Sequence, residues 1–255
     1  MNIDAYLKRI NYSGSLEPTA ETLRALQVAH LFAVPFENLS IHAGEPIVLN
    51  EDALFGKIVE NRRGGFCYEA NGLFASLLRA LGFEVAMLSA GVATRDGGFG
   101  PDFDHMTLMV TLAERWLVDV GFGDSFLEPL LLDSRDEQVQ GTRAFRIIED
   151  NSHLILQRRD AGGDLGAAVS FHPPTPHICR LRTDVPLPPD ISRIPLHQST
   201  SLFSRNRRRP HHPDRPAPNH YLNPTTLRTP SRGPRFLRRH PPRSIWHRDE
   251  EPCAR

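Results

Sequence analysis

Residues 62–69 read Arg-Arg-Gly-Gly-Phe-Cys-Tyr-Glu, and the sequence behind them switches at once to a helical pattern. Leu73, Phe74, Leu77, Leu78 and Leu81 recur at three- and four-residue spacing, and Gly82 supplies a stop signal. This pattern predicts a helix that starts at or beside Cys67, with two glycines behind it to let the chain turn tightly. A helix N-terminus carries partial positive charge and favours thiolate over thiol. Cys67 is therefore a candidate nucleophile, although a lone cysteine is more often a small buried hydrophobe.

Two further residues change that balance. His105 opens the apolar run His-Met-Thr-Leu-Met-Val, and Asp119 sits in Leu-Val-Asp-Val-Gly-Phe-Gly. If residues 112–114 form a three-residue hairpin loop, Thr111 faces Arg115 and Thr107 faces Asp119. His105 then lies diagonally across from Asp119 on one face of the sheet, within side-chain reach. A cysteine at a helix start, a histidine and a carboxylate define an activated nucleophile, its base and a group that orients the base. His30, His42 and His153 have no such companions and read as structural.

The neighbouring segments extend the pattern. Pro18-Thr19-Ala20-Glu21 precedes a periodic stretch with Leu23, Leu26, His30 and Phe32 that Pro35 ends. Asn50 is placed to cap a short helix carrying Leu54, Phe55, Ile58 and Val59. Short apolar runs at 84–92, 105–111, 115–120, 145–148 and 154–157 then predict strands. The expected fold is α+β: a helical bundle over residues 1–83 carries the nucleophile, and a β domain over 84–165 carries histidine and aspartate. Glu37 and Arg63 are read either as a buried ion pair or as ordinary surface charges.

Residues 166–255 need a separate explanation. The first 165 residues hold 14 Lys/Arg and 24 Asp/Glu, whereas the remainder hold 16 Arg, no Lys and 6 Asp/Glu. Seventeen of the 22 prolines also fall after residue 165, which leaves little room for long helices or central strands. The expectation is an irregular basic tail. The opening Met-Asn-Ile-Asp-Ala-Tyr lacks the apolar core of a signal peptide, and no run approaches the roughly 18 apolar residues that span a bilayer. Cysteines at 67, 179 and 253 form neither a disulfide framework nor a metal-ligand pattern. These features predict a cytoplasmic protein with no metal and no membrane partner.

Residues 1–165 resemble the arylamine N-acetyltransferases almost continuously. The matching blocks are Tyr-Leu-Lys-Arg-Ile, Ala-His-Leu-Phe-Ala-Val-Pro-Phe-Glu-Asn-Leu, Arg-Arg-Gly-Gly-Phe-Cys-Tyr-Glu-Ala-Asn-Gly-Leu-Phe, His-Met-Thr-Leu-Met-Val and Val-Asp-Val-Gly-Phe-Gly. The resemblance implies a helical domain, a β-barrel-like domain on a cysteine-protease-like core, and a C-terminal α/β lid. It implies Cys67 as nucleophile, His105 as base and Asp119 as orienter. Phe36 and Phe122 match family positions that line the acceptor pocket, and Gly123 belongs to the same active-site loop. Acetyl-CoA would be the acetyl donor and an arylamine or hydrazine the acceptor, by way of an acetyl-cysteine. One departure is Gly91, where the family often has arginine.

Two other classes of function compete. A papain- or transglutaminase-like Cys-His-Asp enzyme places the same groups similarly, but the Val-Pro-Phe-Glu-Asn-Leu block belongs to the acetyltransferase pattern. A nucleic-acid binder would use Arg205, Arg207, Arg208 and Arg209 with His211 and His212 against phosphates. Sparse aromatics and the lack of a recognised module argue against that partner.

The resemblance stops near residue 165, and the lid is replaced by the Arg/Pro-rich tail. Back-translating residues 167–177 and reading one nucleotide later can give Pro-Leu-Tyr-Arg-Phe-Thr-Leu-Gln-Pro-Arg, which is similar to the family's next strand. Residues 206–216 treated alike can give Thr-Ala-Asp-Gly-Arg-Ile-Thr-Leu-Thr-Asp-Leu, a family-like C-terminal segment. The chain therefore also reads as a frameshifted, inactive remnant of such an enzyme.

Overall fold

The helix that begins at Cys67 is the centre of the helical half. In a computed structural model, which describes residues 1–172 and the backbone of Leu202 and Phe203, it runs Cys67–Ala80. All described residues lie within one unit, Met1–Arg209. Leu73, Phe74, Leu77 and Leu78 are fully buried, and each contributes about 1.5–3 kcal/mol of apolar transfer. Gly82, at φ +90°, ends the helix in a backbone region that side chains disfavour.

Four helices surround it: α1 (Ile3–Arg9), α2 (Ala20–Ala33), α3 (Leu39–His42) and α4 (Glu51–Phe55), with Cys67–Ala80 as α5. Side-chain caps explain three of the starts. Asn2 accepts from Ala5 N–H at 3.1 Å, Thr19 from Thr22 N–H at 3.2 Å, and Asn50 from Ala53 N–H at 2.8 Å. The helix expected behind Asn50 changes character, because α4 continues into a π-helical turn over Gly56–Glu60.

A two-residue strand, β1 (Phe36–Glu37), lies among the helices, and the longer strands form one antiparallel sheet. In chain order these are β2 (Glu84–Val92), β3 (His105–Thr111), β4 (Arg115–Val118), β5 (Leu130–Leu131), β6 (Gln138–Gln140), β7 (Arg143–Asp150), β8 (His153–Arg159) and β9 (Gly166–Phe171). They pair in the order β5-β4-β3-β2-β9-β8-β7-β6. Alternation along β3 separates two cores: Leu108 and Val110 pack with the helices, while Met109 packs with Phe145, Ile147, Leu154, Leu156 and Phe171 inside the curved sheet. The result is an α+β fold with a helical bundle followed by a β-barrel-like sheet.

Glutamine side chains close the two outer strands against each other. Gln138 accepts from Leu131 N–H at 2.7 Å and donates to Leu131 C=O at 3.0 Å. Gln140 accepts from Leu127 and Glu128 N–H at 2.8 and 3.0 Å and donates to Glu128 C=O at 2.7 Å. Each amide substitutes for a missing stretch of strand ladder, so the edge backbone groups keep their partners.

One expected boundary moves. The β region was expected to end at residue 165, but β9 carries it to Phe171, paired with β2 through Ala90↔Phe171 and Val92↔Val169. Val169 and Phe171 are buried on one face, so alternation holds the segment in the sheet. The backbone of Leu202–Phe203 (β10) pairs with β1. The remaining residues of the expected basic tail, the arginine cluster at 205–209 included, lie outside the described residues.

His30 on α2 is fully buried, with Nδ1 2.9 Å from the Tyr6 hydroxyl and its ring edge-on to Phe74. Burial first, and the nearby Arg9 charge second, push its pKa down to about 3. Because the folded value lies below the unfolded one, its contribution is complete above about pH 6.5 and is lost as pH falls toward 3. Folded protein should therefore lose about 2 kcal/mol between pH 7 and pH 5 from this residue alone. Urea midpoints at the two pH values test this: His30→Gln should lower stability at pH 7 yet remove most of the difference.

Candidate active site

Cys67 is the first residue of α5 and is buried. The turn ahead of it is fixed by Glu69, which accepts from the Phe66 N–H at 3.2 Å. Gly64 and Gly65 are not in the left-handed region, so the expected reason for them, a tight turn, is replaced by another. A Cβ on Gly64 would stand 2.0 Å from the Pro35 carbonyl oxygen, and β1 passes too close for any side chain. Glu37 N–H donates to the Gly65 carbonyl at 3.0 Å in the same contact.

A charged cluster sits under this turn. Lys57 Nζ reaches both Glu69 oxygens at 2.7 Å and Glu37 Oε1 at 3.4 Å. Arg63 lies 3.0 Å from Glu37 Oε1 and donates to Ser40 Oγ at 2.9 Å, so of the two readings of Glu37 and Arg63 the ion pair is the one formed. Glu37 Oε1 makes these contacts as ion pairs rather than aligned hydrogen bonds, while Oε2 accepts from Leu39 N–H at 2.9 Å. Burial pushes the Glu69 carboxyl up, and Lys57 only partly offsets it. Arg9, also buried, donates to the carbonyls of Ile58, Ala33, Arg62 and Arg63 at 2.7–3.3 Å and so ties the lead sequence to α1.

The hairpin has the expected register. Thr111 pairs with Arg115 and Leu108 with Val118, which sets Thr107 opposite Asp119. His105 and Asp119 are both buried, and His105 Nε2 lies 2.6 Å from Asp119 Oδ2. Cys67 lies close enough to the same imidazole to act on its charge. Burial works against the imidazolium, but the Asp119 charge and hydrogen bond, joined by Cys67, outweigh it and raise His105 to about 10. His105 and Asp119 thus form a buried pair beside the buried Cys67.

Two of the three residues expected to line an acceptor pocket, Phe122 and Phe36, pack beside this group. Phe122 meets the His105 ring edge-on, with centroids 5.2 Å apart. Phe36 packs against the cluster of Phe66, Cys67, Tyr68 and Met106. Gly123 follows Phe122 at φ +89°, in the turn that leaves the Asp119 segment. Tyr68 donates to the Phe103 carbonyl at 2.6 Å and so tethers the β2–β3 loop to α5. A separate cleft of about 190 Å³, lined by Gly91, Gly100, Asp102, His153 and His172 among others, includes none of the three convergent residues. Gly91 itself is held by close approach, since a Cβ there would stand 2.4 Å from the Gly100 carbonyl oxygen. Among the described residues, no group of three or more His, Cys, Asp or Glu is arranged to hold a metal ion.

Sequence reasoning did not single out Lys57, Glu69, Arg9 or Asn71. Asn71 is the most consequential: its amide donates to Asp119 Oδ1 at 2.9 Å and to Met106 C=O at 2.7 Å, and it accepts from Val120 N–H at 2.8 Å. The only available signal was its position, one helical turn beyond Cys67 on the same face.

The buried His105–Asp119 pair lies beside Cys67, at the junction of the helical bundle and the β-barrel-like sheet. The family model described as N-acetyltransferase matches residues 19–167, and the chain belongs to the arylamine N-acetyltransferase family. It is 41% identical over 163 residues to an arylamine N-acetyltransferase of Gallus gallus, the pineal gland isozyme NAT-3, covering 62% of this chain and 56% of that one. Similarity to the arylamine N-acetyltransferase / N-hydroxyarylamine O-acetyltransferase of Salmonella typhimurium is 39% over 159 residues, covering 62% and 57%. The solved Mycobacterium marinum arylamine N-acetyltransferase in complex with CoA superposes with a TM-score of 0.62 at 36% identity, covering 68% of this chain and 67% of that one. The chain thus spans just over half the length of the curated relatives it matches.

Gly121 supplies a direct test of the junction. Its N–H donates to Asp119 Oδ1 at 2.8 Å, and a Cβ there would lie 2.6 Å from Cys67 Cα and 2.9 Å from Asn71 Nδ2. Gly121→Ala should force α5 and the Asp119 loop apart, costing about 1–3 kcal/mol in thermal unfolding. The rate of Cys67 alkylation by iodoacetamide, read by peptide mass spectrometry, should fall with it.

Proposed function

We propose that the chain carries the acetyl-transfer site of an arylamine N-acetyltransferase. The observation that carries this reading is the buried 2.6 Å contact between His105 and Asp119 beside the Cys67 thiol. The Cys67 thiolate attacks the thioester carbonyl of acetyl-CoA, forming an acetyl-cysteine and releasing CoA, whose sulfur takes the proton from His105. The acceptor nitrogen then attacks the new thioester, His105 removes the acceptor's proton, and Cys67 leaves as thiolate. One thioester is exchanged for another, so the first step is nearly balanced. Acetyl-CoA as donor is supported by the relative solved with CoA. Phe36 and Phe122, with Gly123 giving the loop its turn, form an apolar wall suited to a flat arylamine or an aromatic hydrazine. No helix among the described residues is long and apolar enough to cross a membrane, and a reducing cytoplasm would keep Cys67 a free thiol.

Mass spectrometry of protein mixed with acetyl-CoA should show a single acetyl group on Cys67, and Cys67→Ala should abolish both the adduct and turnover. Asp119→Asn should preserve the fold and lower turnover by about 10³–10⁴-fold, because a neutral amide neither stabilises the imidazolium nor fixes its tautomer. The raised His105 value makes its stability contribution complete below about pH 6.5 and lost as pH rises through about 10. Urea midpoints should fall over that interval and fall less in Asp119→Asn. Normal turnover by Cys67→Ala would remove this mechanism.

A second reading concerns residues beyond the family match, which ends at residue 167. We propose that a one-nucleotide frameshift near Leu165 replaced the family's third domain, leaving the site assembled but acetyl-CoA weakly held. A version with the frame restored should bind acetyl-CoA more tightly and turn over faster. Early stop codons in the alternative frame of the gene would overturn this reading.

A further inference from the structure

We propose that Asn71 is a positioning residue that fixes the Asp119 carboxylate and, through it, aims His105 at Cys67. The inference rests on the acetyl-transfer reading only for its consequence in turnover; its geometry stands independently. Asn71 is fully buried, and its amide has one orientation that satisfies every neighbour. The Val120 N–H can only donate, so Oδ1 must face it; Met106 C=O and the Asp119 carboxylate can only accept, so Nδ2 must face them. A flipped amide would set donor against donor and acceptor against acceptor.

The consequence falls on Asp119. Its Oδ1 receives two donors, Asn71 Nδ2 at 2.9 Å and Gly121 N–H at 2.8 Å, which leaves Oδ2 for the imidazole at 2.6 Å. The carboxylate plane is thereby locked by two donors that carry no charge. Asn71 also touches the residue after His105 and the residue after Asp119, so it holds the spacing between the two strands' ends. Because it lies one turn along α5 from Cys67, the helix that aims the sulfur also aims this amide. The charged groups acting on His105 are Asp119 from the β4 end and Cys67 from α5.

A purely structural role makes a different forecast, so the two can be separated. In the full chain, alkylation of Cys67 by iodoacetamide is monitored on the Cys67 peptide, which sets aside Cys179 and Cys253. For the unaltered protein the rate at about pH 6 should stay within about twofold of that at pH 8.5, because an imidazolium stands beside the sulfur. Asn71→Ala should lower the pH 6 rate about tenfold relative to its own rate at pH 8.5, with far-ultraviolet circular dichroism unchanged. If Asn71→Ala does not fold, Asn71→Ser takes its place, since its hydroxyl can still serve the Val120 N–H but is too short for Asp119; the same shift is expected. A folded variant that melts earlier yet keeps the parent pH profile would overturn the proposal, as would a parent protein whose alkylation already collapses at pH 6. Acetylation of Cys67 by acetyl-CoA forms a separate arm: its failure beside an intact alkylation profile would overturn the acetyl-transfer reading and leave the role of Asn71 standing.

Discussion

The Asp119 carboxylate is the constraint on which the helical bundle and the barrel jointly depend. It is buried at the end of β4, where a lone negative charge would be costly, and three donors from three different segments answer it. One is an amide of α5, one the imidazole that opens β3, and one the backbone of the loop after β4. Shifting the helix against the sheet would break at least one of them inside a dry interior. The polar contact therefore fixes an alignment that apolar packing between Leu73, Phe74, Leu108 and Val110 would tolerate over a range of small slides.

A second set of buried charges lies close by, yet it leaves the imidazole alone. Glu69 is only two residues from Cys67, and Glu37 approaches the same turn through β1. Lys57 and Arg63 occupy both carboxylates at 2.7–3.4 Å, so these charges act mainly on one another. The influences that raise His105 come from Asp119 and Cys67 and from neither glutamate. Division into two self-contained clusters has a chemical use. The lower one holds the turn before Cys67 in shape, and the upper one leaves His105 to Asp119 and Cys67.

Much of this was legible in the sequence because it is local. The start of α5, its apolar stripe and its stop at Gly82 are written within sixteen residues, and a three-residue loop sufficed to fix the register that joins His105 to Asp119. What escaped was decided by distant partners. Asn71 looks like any helical amide until residues 35 and 48 positions away are folded against it. Arg9 bonds only to backbone carbonyls, which no side-chain pattern advertises. The boundary at residue 165 was set by composition, but Val169 and Phe171 alternate well enough to finish the barrel. Pairing with β2 and β8 outweighs the Arg/Pro-rich character of the segment beyond β9.

The glycines make the same point about backbone approach. Gly64 reads as a turn residue, yet its φ is not positive, and what excludes a side chain is the carbonyl of Pro35, just ahead of β1. Gly121 is excluded in the same way by Cys67 and Asn71. In both places a strand or loop passes within backbone distance of the helix start, and such contacts cannot be widened without moving the sulfur. A thiol on a more loosely packed helix end would gain the dipole of that helix but not a fixed place relative to the imidazole. Here the Cys67 end of α5 is held on one side by the segment at β1 and on the other by the Asp119 loop, so its place is set mainly by backbone, and the side chains of His105, Asp119 and Asn71 complete the arrangement.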